Sequence, residues 1–189
     1  VRFIYNDAED EWEGAYEIYW KDSSTPVDAY GYYPYDAELS SITDYSFNVQ
    51  ANQNATLATS GMMGYEASDF LWAKSECVYP SSSPLMLTHN HIMAGVQVNL
   101  VEGYGFADGE WESVAKQLSI DNTYLNTTID LQSGVVTVDE SVKAEAIIPM
   151  PSNGGYRAIV APQVVEAGKP LMSVNIDGIA YTFKRDEAM

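Results

Sequence analysis

Leu85-Met-Leu-Thr-His-Asn-His-Ile-Met-Ala-Gly-Val-Gln-Val-Asn-Leu-Val-Glu102 is the stretch on which the reading of this chain turns. Leu85 and Leu87 place apolar side chains on odd positions, whereas Ile92, Val96, Val98 and Leu100 place them on even ones. Side chains of a β-strand alternate between faces with a period of two, so a change of parity requires one extra or missing residue. The change falls near His91, where a bulge or sharp bend is expected. Bends of this kind let one strand leave one sheet and enter another.

The surrounding chain supports the same class. It has 189 residues, is 46% hydrophobic and 19% charged, and is rich in Tyr, Thr, Ser and Val, with Gly or Pro at short intervals. Long helical periodicities are absent, so an all-β fold is expected. Strands are expected at Tyr16 to Trp20, Val27 to Tyr35 and Ser46 to Ala51 in the first half, and Ser68 to Lys74 is compact and apolar enough to return to the core. In the second half they are expected at Tyr124 to Leu131, Val135 to Val138, Lys143 to Ile148 and Tyr156 to Ala161. Leu171 to Ile176 and Ile179 to Phe183 flank Asp177-Gly178, a pair that supplies the positive φ angles of a two-residue hairpin turn. Trp111, Val114, Ala115 and Leu118 fit one or two helical turns, with Asp108 as their cap. The Ser/Pro segment from Tyr79 to Pro84 is the best candidate boundary, dividing the chain into β-sandwich domains at 1–80 and 85–189.

Charge excludes several partners. Nine Lys and Arg against 27 Asp and Glu give a net charge of −18, which repels phosphate backbones, so no nucleic-acid partner is expected. The acid is concentrated at Asp7, Glu9, Asp10, Glu11, Glu13 and Glu17, whose spacing lacks the Gly and final Glu of a calcium-binding helix-loop-helix; a solvated acidic loop is expected. No apolar run is long enough for a transmembrane helix.

Candidate chemistry is sparse. His89 and His91 would share a face of an ideal strand, but the chain holds no third histidine to complete a zinc site, so both are read as polar residues beside the bend. Cys77, the only cysteine, is expected as a buried apolar thiol. No phosphate loop, dinucleotide fingerprint or nucleophile elbow occurs. The chain is therefore read as a non-enzyme with no catalytic residues, no cofactor and no metal ligands. Trp12, Trp20, Trp111 and exposed tyrosines are the residues a sugar-stacking surface would use.

Four segments in order resemble the fimbrillin-like proteins of the Bacteroidales, the major and minor fimbrial subunit families. They are Ala29 to Asp36 (Ala-Tyr-Gly-Tyr-Tyr-Pro-Tyr-Asp), Ser68 to Lys74 (Ser-Asp-Phe-Leu-Trp-Ala-Lys), the opening stretch, and Ala158 to Gln163 (Ala-Ile-Val-Ala-Pro-Gln), followed by the Asp177-Gly178 hairpin. Leu87 stands where that family usually has Phe. The resemblance implies two Greek-key, transthyretin-like β-sandwiches in tandem, the first incomplete at its start. It implies export as a lipoprotein precursor to the outer membrane and cell surface, with membrane contact only through the precursor's lipid anchor. It further implies a structural or tip subunit of a fimbria (pilus), joined to other fimbrial subunits by donor-strand exchange and mediating adhesion to host or bacterial surfaces. A surface glycan-binding module or a non-polymerising adhesin is the alternative.

Overall fold

The computed structural model describes residues 1–188; Met189, the expected end of the second domain, lies outside them. The chain is almost entirely strand, in the order β1 (Phe3–Asn6), β2 (Glu11–Gly14), β3 (Val27–Tyr33), β4 (Tyr45–Asn48), β5 (Leu71–Val78), β6 (Asn90–His91), β7 (Ala94–Asn99), β8 (Lys116–Thr123), β9 (Asn126–Asp130), β10 (Val135–Val138), β11 (Glu145–Ile147), β12 (Met150–Ser152), β13 (Gly155–Val160), β14 (Pro170–Ile176) and β15 (Ile179–Lys184). Two single-turn helices, α1 (Gly64–Ala67) and α2 (Glu110–Ser113), interrupt them.

The strands form four sheets that face each other in pairs, plus a separate β1–β2 hairpin. One pair sets β3-β5-β6 against β10-β9-β4; the other sets β12-β13-β7 against β11-β8-β14-β15. Aromatic rings fill the first interface. Phe70 is fully buried, stacked on Tyr32 at 6.0 Å and met edge-on by Phe47 at 5.0 Å. Trp72 donates its indole N–H to the Leu131 carbonyl at 2.8 Å, so its polar edge is satisfied inside the packing. Burial and the nearby Asp36 carboxylate push the Tyr45 hydroxyl above the usual tyrosine range. Aliphatic side chains fill the second interface, with Leu118, Ile120, Ile147, Ala158 and Ile159 at its centre.

The parity change near His91 is a strand that switches sheets. β6 pairs with β5 through Leu71↔His91, and after only two intervening residues β7 begins its pairing with β13 through Ala94↔Val160. Ile92 and Met93 form the joint, and Met93 turns into the core. Leu87 is half-buried before the joint and Val96, Val98 and Leu100 after it, as the odd-to-even pattern requires. Residues 85–89 precede the strand rather than belonging to it.

A second strand crosses in the same way. β8 belongs to one pair of sheets, and β9, two residues on, belongs to the other. Strand pairing therefore does not respect a cut at residues 80–85. β4, on the near side, is hydrogen-bonded to β9 on the far side from Tyr45↔Ile129 to Asn48↔Asn126. The core is likewise continuous, since Phe47, Val49 and Phe70 share one cluster with Ile129, Ile147 and Ile159. The fully buried Gln53 adds a polar tie: its amide donates to the Ile159 carbonyl at 2.6 Å and accepts from the Ile159 N–H at 2.8 Å.

Several local expectations are corrected. Tyr16 to Trp20 is not a strand, because among the described residues no neighbouring edge pairs with it to complete its hydrogen bonds. The helix around Trp111 is a single turn whose first flanking residue is Gly109 at φ 74°, not a capping Asp108. Val114 is already extended, and Leu118 lies in β8, buried with Ile120 on one strand face. The Asp177-Gly178 turn forms as expected, with φ angles of 49° and 82°.

Candidate functional site

The two sheets of the second pair are unequal, and the inequality leaves a face uncovered. β13 lies over β8, tied by the Tyr156 hydroxyl donating to the Lys116 carbonyl at 3.0 Å. β11 runs almost directly into β12, closing one side of the sandwich. β7 is the last strand of its three-stranded sheet, whereas β14 and β15 follow β8 in the four-stranded one, so among the described residues the strand order leaves β15 without a facing strand. The register shows what this exposes. Met172↔Phe183, Val174↔Tyr181 and Ile176↔Ile179 are opposite pairs and point the same way. Met172 and Val174 pack on the core, but their partners Phe183, Tyr181 and Ile179 remain 51%, 52% and 59% exposed. These three side chains have the orientation of core residues and the exposure of surface residues.

Beside that face, β7 is an open edge. It pairs with β13 along Ala94–Asn99 and with no other strand among the described residues. Its central residues are uncharged, so it lacks the edge lysines and prolines that blunt strand addition. An open edge next to uncovered apolar side chains is the geometry in which an extended peptide gains both main-chain hydrogen bonds and side-chain burial.

The residues singled out for chemistry are scattered. His91 Nδ1 meets the Asp69 carboxylate at 2.7 Å, a local contact at the sheet-switching joint. His89 packs over Gly31: a Cβ on that glycine would sit 2.6 Å from Nε2 of the imidazole. The two histidines thus have separate structural partners. Cys77 is exposed, not buried as expected; it sits at φ 50°, and its N–H donates to Asp28 Oδ1 at 2.9 Å across an irregularity in the β3–β5 ladder. Of the tryptophans, Trp111 is engaged edge-on by Phe106 and covered by Lys116 at 4.3 Å, while Trp12 and Trp20 are exposed. The acidic N-terminal segment is a hairpin rather than a loop. Glu9, Glu11 and Glu13 bring carboxylate oxygens within 4.8 Å of one another, all exposed to solvent.

An open cavity of about 610 Å³ lies between β8, β14 and the approach to β11, lined by Asp121, Asn122, Lys143, Glu145 and Ser173. Asp121 already accepts from Ser119 at 2.7 Å and Ser173 at 2.5 Å, so part of its polar capacity is spent within the sheet.

The fimbrillin-like family model matches residues 1–189, the whole chain. The chain is a member of the fimbrillin-like family. Among solved structures, this fimbrillin-like chain resembles a candidate cell adhesion protein from Bacteroides uniformis ATCC 8492, with TM-score 0.67 and 18% identity over 88% of this chain and 62% of that one. It also resembles candidate cell adhesion proteins from Bacteroides thetaiotaomicron VPI-5482 (TM-score 0.61, 16% identity, 89% and 62% covered) and Bacteroides ovatus ATCC 8483 (TM-score 0.60, 14% identity, 93% and 64% covered). At these identities the likeness establishes the fold. The chain spans less than two thirds of the length of each of the three. No curated protein matches it significantly.

The opening stretch, the all-β class and the family were visible in the sequence. The uncovered β15 face was not, because Ile179, Tyr181 and Phe183 alternate as any half-buried strand would. Only the count of strands in the opposing sheet reveals that their partner is missing.

Proposed function

We propose that this fimbrillin-like chain is a structural or tip subunit of a bacterial cell-surface fimbria, joined to its neighbours by strand addition. The observation that carries the reading is the inward-directed yet half-exposed row Ile179, Tyr181 and Phe183 beside the unpaired edge of β7. A strand from another subunit laid along β7 would complete the three-stranded sheet to four and cover that row. Burying three large apolar side chains and satisfying a sheet edge together supply the driving force, without catalytic residues or cofactor. The surplus of acid keeps free subunits apart until a directional contact forms. Export to the outer surface as a lipid-anchored precursor, and adhesion to host or bacterial surfaces, are part of the same proposal, and membership of the fimbrillin-like family supports them.

The test is uptake of a donor strand. The protein is mixed with a seven-residue peptide of alternating Val and Thr, or with the same peptide carrying Asp in place of Val. Ligand held at about 100 times its Kd stabilises the folded state by about 2.7 kcal/mol, a rise of several degrees in Tm. Tyr181→Lys should abolish the rise, and the Asp peptide should not produce it. If neither the peptide nor the complete precursor is taken up or forms polymers, assembly by strand addition at this edge is wrong.

A further inference from the structure

The β1–β2 hairpin presents a second apolar face, separate from the strand-acceptor edge. Phe3↔Gly14 and Tyr5↔Trp12 are opposite pairs, so these four residues share one side of the two-stranded sheet. Phe3 lies over Gly14, with its ring 3.3 Å from where a Cβ would sit, and Tyr5 and Trp12 are paired at 5.4 Å. Phe3, Tyr5 and Trp12 are 52%, 40% and 62% exposed, and no residue of the hairpin is buried. A two-stranded hairpin is marginal in water without something packed on a face. The aromatic side is therefore the side a partner would cover.

Charge identifies the partner's chemistry. Residues 1–20 carry six acids and one base, Arg2, which already sits over the Tyr35 ring at 5.2 Å. Ile4, Asn6, Glu11 and Glu13 occupy the opposite side of the hairpin, so the carboxylates lie behind and around the rings without obstructing them. Their field makes a second copy of this chain, with its own net charge of −18, a poor occupant, and it repels anionic ligands equally. Elsewhere in this molecule half-buried rings are met by cations, Lys74 over Tyr30, Lys116 over Trp111 and Arg157 over Tyr65, and the exposed Tyr35 ring is met by Arg2. Tyr5 and Trp12 carry no cation among the described residues, although they stand in its most acidic segment.

We propose that the aromatic face of the β1–β2 hairpin docks a basic segment of a partner protein, whose Arg or Lys side chains lie over Trp12 and Tyr5. Cations over ring faces are attracted by the ring quadrupole, Trp most strongly, and the surrounding carboxylates add a salt-dependent attraction.

The test measures binding of the whole chain to a fluorescent Arg-Gly repeat octapeptide at about 0.15 M salt, where weak non-specific charge attraction is screened. Trp12→Ala leaves the net charge unchanged and should weaken binding at least tenfold. Glu112→Gln, an exposed acid on α2, should leave it within twofold. Replacing arginine by citrulline in the peptide should abolish binding. Far-ultraviolet circular dichroism and Tm of the variants confirm that the sandwich is intact, since the hairpin contributes nothing to the core. Equal binding by Trp12→Ala, equal binding of the citrulline peptide, or displacement of the peptide by a neutral oligosaccharide such as maltohexaose would each overturn the proposal. So would sedimentation showing that a second copy covers the hairpin, with Trp12→Ala abolishing self-association and leaving peptide binding untouched.

Discussion

Gln53 offers the sharpest test of how the two pairs of sheets are joined. Its side chain lies in the first half of the chain, is fully buried, and forms both of its hydrogen bonds with the backbone of Ile159, 106 residues later. Gln53→Ala removes both bonds and strands the Ile159 N–H and carbonyl in a site with no access to water. Each orphaned buried group costs about 1–3 kcal/mol, and the vacated volume adds to this, so a loss of about 3–5 kcal/mol is expected. For a chain of this size each kcal/mol moves Tm by about 2–4 °C, so the melt should fall by roughly 6–20 °C. It should fall as one transition, because the pairing of β4 with β9 and the shared core couple the halves. Calorimetry with parallel circular dichroism measures both quantities. Gln53→Glu supplies a control of similar size: it places an oxygen opposite the Ile159 carbonyl at neutral pH, and its stability should recover as pH falls and the carboxyl becomes a donor. A Tm change below about 3 °C for Gln53→Ala, or two resolved transitions in the parent, would refute the argument that this tie and the common core make the molecule one cooperative unit.

Other consequences are as direct. Phe70→Ala, which empties the centre of the aromatic cluster, should cost about 3–5 kcal/mol in urea unfolding. Gly134 sits at φ 74° with its Cα hydrogen facing the Trp72 ring, where a Cβ would lie 2.8 Å away; Gly134→Ala should cost about 2 kcal/mol or more, read in the same assay. Asp22 accepts hydrogen bonds from the Thr25 hydroxyl and the Ser24 and Thr25 N–H groups, which lower its pKa to about 2. Because the folded value lies below the ordinary one, this turn is favoured at pH above about 4 and loses that preference as pH falls through 2; carbon-detected NMR should place the midpoint there, and Thr25→Val should raise it. Cys77, exposed at the surface, should react with a maleimide in the native protein as completely as after unfolding.

The parts of the fold that could be read from sequence are those written in neighbouring residues. Asp177-Gly178 marks a hairpin turn because its backbone conformation demands particular residues, and it forms. The odd-to-even slip at His91 marks a sheet switch because side-chain parity is a local property. What was missed depends on partners far away in the chain. Tyr16, Ile18 and Trp20 alternate like a strand, but alternation creates no neighbouring edge. Trp111, Val114, Ala115 and Leu118 have helical spacing, yet β14 offers Leu118 a ladder partner at Val174, and that tertiary pairing prevails over local periodicity. Cys77 looked like a small apolar residue before a proline-rich segment; the irregular β3–β5 ladder turns its backbone to positive φ and its side chain outward. The candidate strand-acceptor edge was invisible for a related reason: it consists of a vacancy in sheet order.

The sheet-switching strand has a mechanical consequence. Residues 90–99 are bonded to β5 on one side of the Ile92-Met93 joint and to β13 on the other. Tension drawn along this segment acts parallel to the strands and loads each row of hydrogen bonds together, rather than peeling them one after another. β8 and β9 repeat the arrangement on the opposite side. A force passing between the two pairs of sheets is therefore shared by these two short joints and the β10–β11 connection, and the ladders flanking the joints resist it by shear.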